Sequence, residues 1–200
     1  MERKKRFILS ITGASGTIYG LSILSELSKF PYDLYLIVSN SATSIISHEN
    51  KIEVTPENLN NLIKAKHKDF NLIICENNNF YNPPASGSFK HDGMIVAPCS
   101  MKTLSEIANG LAQNLISRAA DVTLKERKPL ILLTRETPLN LVHIKNMERA
   151  HLAGATIMPP VPSFYNNPKS IDDLILHTTG RVFDQLGIEH ELFKEWGVRD

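Results

Sequence analysis

With 200 residues, 42% of them hydrophobic, the chain is long enough to bury one sizeable core, and it reads as a single domain over 1–200 with a basic arm at 1–6 and a tail at 187–200. Its 22 basic and 21 acidic residues nearly cancel, which excludes the global positive field that nucleic acid or an anionic membrane surface selects and leaves any anion binding to local groups. No run approaches the roughly 20 apolar residues that span a bilayer, and Cys75 and Cys99 make neither a metal pattern nor a disulfide framework, so buried thiols in a reducing cytosol are expected.

The basic arm feeds a short apolar run, Phe7 to Ile11, and is read as solubilising rather than as a signal peptide. Thr12-Gly13-Ala14-Ser15-Gly16 then separates that strand from a helical stretch, Thr17 to Phe30. A strand turning into a helix leaves the first helical N–H groups unpaired, so this loop is expected to cradle an anion, with Ser15 adding a hydroxyl; a plain turn is the equal alternative. Leu34 to Val38 is a second strand of the continuous apolar kind found in parallel sheets, and Ser39 at its carboxyl end suits a helix N-cap for Ala42 to His48.

Pro56 opens a further helix, and Leu72 to Cys75 reads as a third strand. Asn77 to Asp92 is irregular and long, which marks a functional loop. Met94 to Ala97 forms a fourth strand ended by Pro98-Cys99-Ser100, and Met101 to Ala108 turns helical, so Ser100 and Thr103 are expected to make a second potential anion cradle. Leu115 to Lys125 is helical, with Arg118 and Lys125 about two turns apart on one face, a pattern most often no more than a solvated charged stripe. Pro129 to Thr134 is a fifth strand with Arg135-Glu136 just past its end. A helix over Pro138 to Ala153, a short strand over Ala155 to Met158, the extended Pro159 to Pro162 and a final helix over Ile171 to Leu186 complete the chain.

The alternation predicts a single-domain, three-layer αβα fold around a doubly wound parallel sheet of the Rossmann or flavodoxin-like kind. Ligands bind at the carboxyl ends of such strands. Ser15, Ser39, Ser100, Thr103, Arg135 and Glu136 all fall there. The glycine loop lacks the spacing and lysine of a nucleotide-hydrolysing loop, and Ser15 lacks the flanks of a nucleophile elbow. His48, His91, His143 and His151 have no partners at metal spacing and are read as surface or locally bonded. FMN, with one phosphate and an apolar ring, suits such a site.

Thr12 to Gly16, Ser39, Pro84 to Ser88, Ala97 to Thr103, Arg118-Ala119-Ala120-Asp121-Val122, Leu124 to Arg127, Arg135-Glu136-Thr137-Pro138, Pro159 to Tyr165 and Arg181 resemble the UbiX-type flavin prenyltransferases of the HFCD-like flavoproteins. The resemblance covers almost the whole chain. It implies transfer of a dimethylallyl group from dimethylallyl phosphate to reduced FMN, without a metal, yielding prenylated FMN for a partner UbiD-type decarboxylase. By position it implies that Gly13, Ala14, Ser15, Ser39, Ser100, Met101, Lys102, Thr103 and Arg135 bind FMN. Lys125, Tyr165 and Arg181 would hold the prenyl phosphate with Arg118 assisting, and Trp196 would line the prenyl site. Glu136 and Ser15, supported by Glu49, would move protons. A homododecamer with sites shared between subunits is also implied, which gives the Arg118 to Lys125 face a use.

The chemistry suits these types: cations and a phenol stabilise the departing phosphate, and aromatic faces stabilise the allyl cation. Two alternatives stand beside it, an FMN-dependent oxidative cysteine decarboxylase and a non-catalytic FMN carrier. The first places a Met-Asn motif where this chain has Arg135-Glu136-Thr137-Pro138, and the second has no use for Lys125, Tyr165 and Arg181.

Overall fold

A computed structural model describes residues 3–63, 66–194 and 197. Six strands, β1 (Arg6–Ile11), β2 (Asp33–Val38), β3 (Asn71–Glu76), β4 (Gly93–Cys99), β5 (Leu130–Thr134) and β6 (Thr156–Ile157), pair in the order β3-β2-β1-β4-β5-β6. Every pairing is parallel. The expected doubly wound sheet is therefore present, in the Rossmann strand order, with its direction of winding reversing between β1 and β4.

Alternation along the strands divides the apolar side chains between two faces. Phe7, Leu9, Ile11, Leu34, Leu36, Ile95, Ala97, Ile131 and Leu133 point to one core, shared with α1 (Thr17–Leu27), α2 (Asn40–Asn50), α3 (Pro56–Asn61) and α7 (Ile171–Leu186). Ile8, Ile37, Met94, Val96, Leu130 and Leu132 point to the other, shared with α4 (Met101–Ala108), α5 (Leu115–Lys125) and α6 (Leu141–Leu152). Gly20 lets α1 lie against β4, because a side chain there would run into the Ala97 carbonyl.

The fourth strand continues two residues beyond its expected end at Ala97. Val96 pairs with Leu132 but Cys99 pairs with Thr134, so β4 carries one extra residue across Pro98, whose peptide bond is cis. Proline has no N–H for the ladder and is accommodated at such a bulge, which returns Cys99 to the core facing α4 and α5.

Both ends of the chain differ from expectation. The basic arm is not merely solubilising: Arg3 pairs with Asp92 at 2.7 Å, Lys4 pairs with Asp33 at 2.5 Å, and Arg6 opens β1. Beyond α7, left-handed Gly187 (φ 61°) caps the helix as the Ile188 amide bonds the Phe183 carbonyl, and the tail doubles back. Gly180 seats that tail, since a Cβ there would lie 2.6 Å from the Phe193 ring and 2.8 Å from the His190 ring.

Candidate active site

The loop after β1 joins the two halves of the sheet. Thr12 donates its hydroxyl to the Pro98 carbonyl at 2.7 Å and accepts from the Ser100 amide at 2.9 Å. At Gly13 the chain passes so close to Ser41 that a side chain would collide with it. These contacts place the start of α2, the end of β4 and the Gly13 turn around one hollow.

The first helical amides of α1 are not open to an incoming phosphate. Glu49, near the end of α2, places its carboxylate there and accepts from the amides of Gly16 and Thr17 at 3.1 Å and from the Thr17 hydroxyl at 2.8 Å. The anion cradle expected at Thr12 to Gly16 is thus filled by the protein's own carboxylate, which satisfies the orphan donors and the helix dipole. Burial works to raise the Glu49 pKa, but hydrogen bonds from Ser15, Thr17 and the two amides outweigh it and hold the carboxyl below its ordinary value. Glu49 is ionised at neutral pH, and Ser15 is bound to it.

Anion-binding chemistry lies next door, in a cleft of about 320 Å³ at the carboxyl edge lined by Gly13, Ser39, Ser41, Asn77, Ser100, Lys102, Thr103 and Asn114, among others. Ser39 accepts from the Ala42 amide at 3.2 Å and Ser100 from the Thr103 amide at 3.2 Å, so each caps its helix as expected of Ser39. The preceding amides, of Asn40 and Ser41 in α2 and of Met101 and Lys102 in α4, have no carbonyl a turn earlier to bond. Two helix N-termini and a set of hydroxyls and carboxamides fit the phosphate and polyol chain of FMN. The Lys102 ammonium is 84% exposed, so its amide is what this residue offers the cleft.

Sequence reasoning missed Asn77 and Asn114. Asn77 receives the Leu115 amide on its carbonyl and the Ile116 amide on its side chain, and Asn114 caps α5 through the Ser117 amide. The signal was available: Asn77 directly follows β3 at the ligand edge, and Asn114-x-x-Ser117 is a capping pattern.

Arg135 and Glu136 extend past β5 at the same edge. The Arg135 amide bonds the Cys99 carbonyl at 3.1 Å, its cation acts on Tyr19, and the exposed Glu136 carboxylate accepts from the Thr137 amide at 3.0 Å. Arg135 thus lies near Tyr19 of α1, and Glu136 is open to solvent beyond the end of β5.

The phosphate-binding set expected of Lys125, Tyr165 and Arg181 is not assembled within one chain. Lys125 ends α5, on the face opposite α7, where it pairs with Glu126 beside Gly87. Arg118 is on the same helix, donating to the Ala85 carbonyl at 3.1 Å and to Asp121 at 2.7 Å. Tyr165 and Arg181 line a different cleft of about 620 Å³ on the α7 face with Asp184 and His190. Lys125 and Arg181 both remain about half exposed, at 47% and 50%. Trp196 lies outside the described residues.

The cysteines and histidines fall mostly as read. Cys75 and Cys99 are free and buried, with burial pushing the Cys75 thiol up to about 11 and Cys99 higher still. His91 is an exception to the surface reading, being buried beside Phe89, and burial lowers its pKa. Among the described residues no group of three or more His, Cys, Asp or Glu side chains is placed to hold a metal ion.

The sequence model of the family described as Flavoprotein matches residues 1–181. A flavin prenyltransferase UbiX of Methanocaldococcus jannaschii is 47% identical over 193 residues, covering 96% of this chain and 99% of that one. Among solved structures, AnUbiX (PadA1) in complex with FMN and dimethylallyl pyrophosphate superposes with a TM-score of 0.89 at 39% identity, covering 99% of this chain and all of that one. A dodecameric FMN-dependent UbiX-like decarboxylase from Escherichia coli O157:H7 superposes at 0.86 with 36% identity, over 96% of this chain and all of that one.

Proposed function

Since the chain belongs to the flavoprotein family, and within it to the UbiX flavin prenyltransferases, we propose that it transfers a dimethylallyl group from dimethylallyl phosphate to reduced FMN. The observation that carries this reading is the hydroxyl-lined cleft at the N-termini of α2 and α4, whose wall includes Gly13 of the same β1–α1 loop that carries the Glu49-bound Ser15. Gly13, Ala14, Ser39, Ser100, Met101, Lys102, Thr103 and Arg135 hold the phosphate and ribityl chain. Reduced FMN, when bound, supplies the nucleophilic nitrogen and carbon that take the prenyl group.

The chain's own part is electrostatic and protonic. Cleavage of the allylic carbon–oxygen bond leaves the electron pair on the phosphate, where the guanidinium of Arg181 and the phenol of Tyr165 stabilise it by charge-assisted hydrogen bonds. Lys125 of a neighbouring copy completes that set, and Arg118 of the same helix supports it. A shared site accounts for two observations: these cations sit on opposite faces of one sheet, and a related protein is dodecameric. Ser15, its proton committed to ionised Glu49, presents an acceptor oxygen, while the exposed Glu136 carboxylate takes up the released proton and returns it to the phosphate.

Prenylated FMN then passes to a UbiD-type decarboxylase, and free, buried Cys75 and Cys99 support work in a reducing cytosol. Anaerobic incubation with reduced FMN and dimethylallyl monophosphate should give a flavin heavier by one prenyl unit in the mass spectrum. A flavin of unchanged mass refutes the transfer. Repeating the reaction with the diphosphate separates the two donors, and monophosphate is expected to be the faster.

A further inference from the structure

Arg181 is held by a chain of three hydrogen bonds that begins in the returning tail. The Leu192 amide donates to His190 Nδ1 at 3.1 Å, so that nitrogen must be the acceptor and Nε2 must carry the proton. Nε2–H lies 3.1 Å from Asp184 Oδ1, and the other carboxylate oxygen, Oδ2, accepts from Arg181 Nη1 at 2.7 Å. The His190 side chain is only 7% exposed, packed edge-on to Phe183 and against Phe193, while Asp184 and Arg181 are open at 36% and 50%. A rigid, buried imidazole is therefore anchoring a pair of exposed, otherwise mobile side chains. The anchor depends on Gly187, which reverses the chain, and on Gly180, which makes room for the His190 and Phe193 rings.

We propose that Asp184 and His190 are positioning residues that fix the Arg181 guanidinium for the phosphate of the prenyl donor. This rests on the reading of Arg181 as a ligand of that phosphate. A free arginine loses much rotamer entropy when it grips a ligand, and an arginine already held through one Nη has less to lose. The hold uses Nη1, leaving Nη2 and Nε for the phosphate. An unshared carboxylate beside an incoming phosphate would repel it. Here the His190 N–H neutralises part of that charge by bonding the oxygen that Arg181 does not use. All of these groups line the same cleft as Tyr165.

Calorimetric titration of the FMN-loaded protein with dimethylallyl monophosphate, together with steady-state rates, tests this. Asp184→Asn and His190→Ala should each weaken donor binding about tenfold and raise its KM in step, with a smaller fall in kcat because Arg181 also stabilises the departing phosphate, and with FMN affinity unchanged. His190→Gln, whose Nε2 can replace the imidazole donor, should recover most of the loss, an outcome that a purely structural role for the ring would not produce. Unchanged or tighter donor binding in Asp184→Asn, or no recovery with His190→Gln where His190→Ala is impaired, overturns the proposal. Arg181→Ala separates the two readings: if it leaves donor affinity intact, the assignment of Arg181 falls, whereas loss there with intact Asp184 and His190 variants sinks only the positioning role.

Discussion

Glu49 is the residue whose environment decides most. Its carboxylate gathers the Gly16 and Thr17 amides, the Thr17 hydroxyl and the Ser15 hydroxyl, and Asn50 fixes the Thr17 hydroxyl from behind at 2.7 Å. Because its folded pKa is held below the ordinary value of 4.5, this group stabilises the fold fully above that value and loses the contribution as pH falls through the lower, folded one. Glu49→Gln should cost about 0.5 to 1 kcal/mol at pH 7, discounted for the solvent around the carboxylate. Urea melts at pH 7 and at pH 3.5 check it: the gap between wild type and variant should shrink in acid, and a gap that persists unchanged would remove the charge from the account. Ser15→Ala should leave FMN affinity nearly intact while slowing prenyl transfer by about tenfold to a hundredfold, read by separate binding and turnover assays. The sequence singled out Ser15 as a hydroxyl, and the family resemblance named Glu49 in its support, but Glu49 as the anion at the α1 amides was not legible, since 33 residues separate it from Gly16 and nothing local marks the contact.

At the scale of elements, the periodic segments were the most legible. The spans of α4, α5 and α7 agree with their apolar spacing and capping residues, and the strands differ from expectation by a residue or two at their ends. The exception is β4, where Pro98 reads as a terminator because it lacks an N–H, although the strand passes it through a bulge. Helix α6 begins at Leu141 rather than Pro138, with Asn140 as its cap, so Thr137 to Leu139 stay with the site loop. The returning tail was illegible because tertiary packing alone defines it: His177, Phe193 and His190 meet only after Gly187 has reversed the chain. A substitution separates local preference from that packing. Alanine favours a helix interior over glycine by about 1 kcal/mol, but Gly180→Ala drives a methyl into Phe193 and His190. Limited proteolysis should then cut the tail beyond Gly187 several-fold faster, with the body of the domain intact; an equally protected tail would show that it seats elsewhere.

For the whole molecule, the cations proposed for the prenyl phosphate are distributed over two faces of one sheet, and chain topology alone forbids their meeting within a protomer. Motif spacing cannot reveal this, because Lys125 and Arg181 are equally plausible in sequence whichever copy supplies them. Lys125→Ala and Arg181→Ala proteins should each be nearly inactive, and co-assembled mixtures should regain a fraction of wild-type turnover. Absence of recovery in verified mixed oligomers would show that the two residues do not act together in one shared site. The seam between β1 and β4 has a different consequence, for biosynthesis. Thr12 bonds Pro98 across 86 positions, so the inner edge of β1 has no partner until β4 has left the ribosome. The nascent β1-β2-β3 half can pair internally and cover one face with α1 and α2, yet it must wait with an open, apolar strand edge. Completion of β4 closes that edge, whereas the ligand cleft forms only when the starts of α4 and α5 have followed it, so the β1 edge is covered before FMN can first bind.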